Sequence, residues 1–104
     1  MTFDDLLNLE IVAITFIHDY FQIIFKNESI LNVYNKYEIL WTQDSRKLIY
    51  SKVISVNLSK EKLTILLNNS CSIEIWLEDD DYNWPEAIEL IFPDKQILIH
   101  RAWD

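Results

Sequence analysis

The chain of 104 residues contains no glycine, where an average chain of this length carries about seven. That absence excludes the phosphate-cradling loops and the GxSxG nucleophile elbow, which need glycine where the backbone turns sharply or approaches a ligand. There is one cysteine, Cys71, so no internal disulfide can form, and a reducing cytoplasm is the expected compartment. Positive charge is scarce: nine Lys and Arg stand against seventeen Asp and Glu, a net charge of −8. This argues against nucleic-acid binding by phosphate neutralisation and favours a basic protein partner. Apolar runs such as Ile11–Ile17 fall far short of the roughly twenty residues that span a bilayer. The start, Met1-Thr2-Phe3-Asp4-Asp5, is acidic and lacks the basic opening of a secretory signal. The expectation is a soluble, cytoplasmic protein with no membrane association.

What the chain does have is apolar and aromatic substance. Half of its residues are hydrophobic and 13% aromatic, so it is not a disordered acidic tail. The length suits one domain, residues 1–104, with enough buried surface for a core without covalent staples.

The local pattern has period two. Ile54, Val56 and Leu58 alternate with polar residues; so do Leu63, Ile65 and Leu67, and then Cys71, Ile73, Ile75 and Leu77. Asn68-Asn69-Ser70 lies between the last two runs and predicts a hairpin turn, because asparagine tolerates positive φ better than most residues. Ile88, Leu90 and Phe92 share a face, and Pro93-Asp94-Lys95 leads into a last strand over residues 96–101. Shifting residues 11–34 by forty-two positions onto 53–76 superposes about eleven apolar positions. Asn27 falls on Asn69 and Ile23 on Ile65. This register puts Val12, Ile14 and Phe16 toward the core. Residues 37–41 read as an extension of the third strand, 43–47 as a polar loop, and 3–7 as one helical turn. The prediction is a mainly β, single-domain antiparallel fold of seven or eight short strands, built on two similar three-stranded meanders: a curled sheet, a barrel or a small sandwich.

Few residues suggest chemistry. Glu78-Asp79-Asp80-Asp81 could hold a hard cation, but the glycine bend of a calcium loop is missing, and a solvated or partner-facing loop is the expected reading. His18 and His100 are the only histidines, and neither stands at zinc-ligand spacing from Cys71. Cys71 shares the parity of Ile73 and Ile75 and reads as a small buried hydrophobe. Nothing places a base beside it, so no catalytic, metal or cofactor residue is assigned and no enzyme is expected. The aromatics are more informative. Tyr34 and Trp76 occupy equivalent outward positions in the two meanders, with Ile24 and Leu66 also turned away from the core. Tyr82 and Trp84 follow the acidic run, and Trp41 lies near the midpoint. Closing strands could cover this second face. Alternatively, exposed Trp and Tyr rimmed by charge would form a recognition surface.

Asp19-Tyr20 before a strand at 21–25, the turn at Asn27-Glu28, and Asp81-Tyr82 followed by Glu86-Ala87 carry a family resemblance. Over roughly residues 7–100 the chain resembles small bacterial β-domain proteins similar to the immunity proteins of contact-dependent growth inhibition and other polymorphic toxin systems. It departs from them where related sequences use glycine in both hairpin turns, and in Asn83-Trp84-Pro85, which looks like an insertion. The resemblance implies a non-catalytic protein that neutralises a cognate toxin C-terminal domain, expected to be basic, by direct occlusion. The expected partner-binding residues are Glu78, Asp79, Asp80, Asp81, Tyr82 and Trp84, with Trp76 and Tyr34, on a monomer or weak homodimer without cofactor. The rival expectation is a structural or scaffold β-domain with no toxin partner.

Overall fold

The computed structural model describes residues 2–18, 20–40, 45–77 and 86–101, and nine strands form among them. They are β1 (Ile11–Ile17), β2 (Tyr20–Phe25), β3 (Ile30–Val33), β4 (Tyr37–Leu40), β5 (Val53–Leu58), β6 (Lys62–Leu67), β7 (Ser72–Trp76), β8 (Glu86–Ile91) and β9 (Ile97–Arg101). All pairings are antiparallel, in a five-stranded sheet of order β1-β2-β3-β8-β9 and a four-stranded sheet of order β4-β7-β6-β5. The mainly β prediction holds, with nine strands rather than seven or eight and two open sheets rather than a closed barrel. Among the described residues no helix is long and apolar enough to cross a membrane.

Period-two burial builds one core between the sheets. Phe21, Ile23 and Phe25 on β2, Leu31 and Val33 on β3, Leu63, Ile65 and Leu67 on β6, and Ile73 and Ile75 on β7 are all buried in it, with Cys71 and Leu77. Ile88 and Leu90 of β8 join them, and Phe92 packs against the cluster.

The forty-two-residue shift reaches well beyond the three strands that revealed it. A 3₁₀ turn at Phe3–Leu6 has its counterpart at Ser45–Leu48, where the sequence suggested only a polar loop. The first turn is fixed by reciprocal capping: Asp4 N–H donates to Thr2 Oγ1 and Thr2 N–H to Asp5 Oδ2, each at 3.2 Å. Leu6 and Leu48 plug equivalent places in the core. Where the halves meet, Asn8 N–H donates to Val53 O and Tyr50 N–H to Ile11 O. Ile11 N–H donates to Ser51 O and Val53 N–H to Leu9 O. Each bond becomes its partner when the halves are exchanged, the mark of a two-fold relation.

Both edge strands carry a bulge at the same place, between Ile11 and Ala13 and between Val53 and Ser55. The extra residue on the bulged strand reverses the alternation. This corrects the expected inward faces. Ile11 and Val53 are fully buried, whereas Val12 is only half-buried and Ile54 is 52% exposed. Beyond the bulge, Ile14 and Val56 pack against the core. Phe16 and Leu58, opposite Phe21 and Leu63, lie near the ends of edge strands and stay exposed.

Three hairpins use one turn. At 25–29, 67–71 and 92–96 the chain makes a tight turn and then a left-handed residue: Glu28 (φ 75°), Ser70 (φ 71°) and Lys95 (φ 74°). The residue before it caps the bend, Asn27 Oδ1 accepting from Ser29 N–H, Asn69 Oδ1 from Cys71 N–H and Asp94 Oδ1 from Gln96 N–H. This is the three-residue hairpin whose last position ordinarily holds glycine. The predicted turns are therefore present, but asparagine serves as the cap and its neighbour takes the positive φ.

One element departs from the expected plan. β4 does not extend β3; it pairs with β7 in the other sheet, while β8 pairs with β3. The chain leaves the first sheet after Val33 because the link 34–36 is tied across: Trp76 N–H donates to Lys36 O (2.9 Å) and Asn35 Nδ2 to Trp76 O (2.6 Å). Tyr34 N–H donates to Ala87 O (2.9 Å), the equivalent bond on the returning strand. The halves thus exchange their fourth strands, crossing at one end of the molecule.

Candidate functional site

Two of the expected residues, Tyr34 and Trp76, flank that crossing. Tyr34, just after β3, and Trp76, the last residue of β7, hold equivalent places, each tied by its backbone to the opposite crossover. On the outer face of the first sheet the Tyr34 ring packs on Tyr20 with centroids 5.0 Å apart. The Tyr34 hydroxyl donates to Glu89 Oε1 (3.3 Å), which also accepts from Asn32 Nδ2 (3.0 Å), and Asn32 Oδ1 accepts from Gln22 Nε2 (2.9 Å). The second sheet replaces this neutral pair with cations. Lys62, equivalent to Tyr20, and Lys36 lie 5.7 and 5.6 Å from the Trp76 ring centroid, and Lys62 Nζ pairs with Glu74 Oε2 at 2.6 Å. Both aromatics keep partly accessible outer faces, because β8 and β9 widen the first sheet at its edge instead of covering it.

The acidic run springs from the same end. Glu78, Asp79, Asp80, Asp81, Tyr82 and Trp84 lie outside the described residues, as does Trp41, but the residues that hold the ends of their segment are fixed. Leu77 and Ala87 are buried, beside Trp76 and Tyr34 respectively. Register measures the segment against its counterpart. Leu31 pairs with Leu90, and Ile73, its equivalent, with Ile39. Ile39 and Leu90 are therefore equivalent, yet 51 residues apart instead of 42. The link from β7 to β8 carries nine residues more than the fold needs, and the acidic and aromatic run fills them.

A cleft of about 420 Å³ opens at this end, lined by Phe16, Ile17, His18, Tyr20, Val33, Asn35 and Tyr37. Two of its rings meet the core through Phe21, which lies between Phe16 (5.8 Å) and Tyr37 (4.2 Å). Asn35 is only 5% exposed, and its Oδ1 is buried with no hydrogen-bond donor. Burial raises the Tyr37 pKa above the usual 10.0 by desolvating the phenolate.

The chain matches no family model, no curated protein and no solved structure.

Of the eight residues expected to bind a partner, Tyr34 and Trp76 are described, and they flank the crossing on different sheets. Sequence reasoning missed the cleft. Asn35 reads as an ordinary link residue, Tyr37 as part of an extended third strand, and Phe16 as core. Among the described residues no three His, Cys, Asp or Glu side chains gather to hold a metal ion, and Cys71 is a buried free thiol.

The Tyr37 shift gives an alkaline prediction. A pKa raised by folding means that the neutral phenol favours the folded state. Its contribution is complete below the unfolded pKa, near 10, and is lost as pH rises through the higher folded value. Stability should therefore fall above pH 10, and Tyr37→Phe should flatten that fall in urea melts taken between pH 9 and 11.5. An identical pH profile for variant and wild type would show that Tyr37 titrates without linkage to folding.

Proposed function

We propose that this protein is a non-catalytic binding module that engages a basic protein partner through its crossing end, and that the partner is a toxin domain of the kind the family resemblance suggests. The observation that carries the reading is the nine-residue surplus between β7 and β8. Apart from β9, the described elements repeat one for one, so an added segment with Glu78, Asp79, Asp80, Asp81, Tyr82 and Trp84 is not explained by the repeat. Its carboxylates, on a chain of net charge −8, would steer a basic partner toward the surface between Tyr34 and Trp76. Trp84 and Tyr82 supply apolar anchors that charge alone cannot.

Reversal of Asp79, Asp80 and Asp81 to Lys tests this. Against a toxin C-terminal domain encoded beside the gene, association should slow at least tenfold at low ionic strength, and the wild-type rate should fall as salt is added. Unchanged association, affinity and protection of cells in the triple variant would remove the segment from the interface.

A further inference from the structure

The geometry points to the cleft at the crossing end as a receptor for a guanidinium group, an arginine side chain of the basic partner. The inference rests on the partner reading above and specifies what the surface holds.

Three features select this chemistry. The first is aromatic lining. Phe16, Tyr20 and Tyr37 line a space of about 420 Å³, within the size range of ligand pockets. Ring faces attract a cation, and the flat guanidinium stacks on them better than an ammonium does. The second is Asn35. Its Nδ2 is committed to the Trp76 carbonyl at 2.6 Å, so the side chain is held in one orientation, and its Oδ1 is left without a donor. A buried acceptor in this state is costly unless something donates to it. Guanidinium carries five N–H donors and no acceptor. The third is charge. The cleft lies at the end where the acidic surplus segment leaves the fold, on a chain of net charge −8.

Oδ1 is covered in the free protein, so an entering group reaches it by displacing part of the cleft wall. At the rim Phe16 is 55% exposed and His18 is exposed. The Tyr37 phenol stays neutral through the physiological range, since burial raises its pKa.

The test needs no toxin. Isotope-labelled protein is titrated with N-acetyl-arginine amide, with the lysine analogue, and with the citrulline analogue, which keeps the shape but loses the charge. Saturable chemical-shift changes at the Asn35 side-chain amide, Phe16 and Tyr37 are expected with arginine. Binding should be about fivefold weaker or worse with lysine and absent with citrulline. Phe16→Ala, at a position 55% exposed, should weaken arginine binding about fivefold while amide shifts elsewhere stay in place. Equal binding of citrulline, equal binding of lysine, or no saturable change would each overturn the assignment. Because the probe replaces the partner, such a failure leaves the charge-reversal experiment free to decide the partner reading separately.

Discussion

Replacing Asn8, Glu28, Tyr50, Ser70 and Lys95 together by glycine should raise the melting temperature by about 12–24 °C. All five have positive φ, between 68° and 75°, and all five are exposed, so the change removes little packing. A left-handed residue with a Cβ costs roughly 1–2 kcal/mol. Glycine relieves this but adds roughly 0.5–1 kcal/mol of unfolded-state entropy to be lost. The difference is about 0.6 kcal/mol per site, or about 3 kcal/mol for five separated sites, and each kcal/mol moves the midpoint by about 4–8 °C in a domain of this size. Tyr50 should gain most, because a bulky side chain tolerates positive φ poorly, and Asn8 least. A thermal melt of the five-fold variant that failed to rise would mean that contacts of the present side chains offset the backbone cost.

The opposite change belongs at the centre of the core. Ile23 and Ile65 are equivalent under the repeat and essentially without exposure. Ile23 lies between Ile14 and Leu31, and Ile65 between Val56 and Ile73. Cutting either to alanine should cost about 2–5 kcal/mol, through lost transfer energy and the cavity left behind. A domain of this size has a total stability of about 5–15 kcal/mol, so the double variant should be largely unfolded at 37 °C. Urea midpoints measure the singles. An unchanged midpoint at either position would contradict the register in which both point inward.

These two sites mark how legible the fold was. Ile23 and Ile65 could be paired from sequence because alternation with period two is local, and a uniform shift preserves it. The parity at the start of β1 and β5 could not be read, since one unpaired residue at each bulge reverses it, and Val12 resembles Ile11 in type as Ile54 resembles Val53. β4 was misplaced for another reason. Tyr37, Glu38 and Ile39 alternate equally well in either sheet, and what assigns them to the second is a bond from Asn35 to a backbone 41 residues away. The left-handed residues were hidden because the usual signal, glycine, is missing altogether. For the site, Tyr34 and Trp76 were found from their shared outward parity. The cleft arises only where the ends of β1, β3 and β4 converge, and no single segment carries that information.

The exchange of β4 and β8 bears on how the protein can be made. A nascent chain leaves the ribosome from its N-terminus, so β1, β2 and β3 emerge with their apolar faces formed but with the outer edge of β3 vacant. Its occupant, β8, follows only after β4 to β7 have been synthesised; Asn32 waits 57 residues for its bond to Glu89. β4 emerges next and has no edge to join until β7 is complete. The four-stranded sheet has all its strands once β7 is out, but the five-stranded sheet must wait for β8, and contacts this distant in sequence are slow to form. The exposed Val33 and Leu31 edge must therefore remain protected from other strands until residues beyond Ile91 are free of the exit tunnel. Only then can the five-stranded sheet close over the one already made.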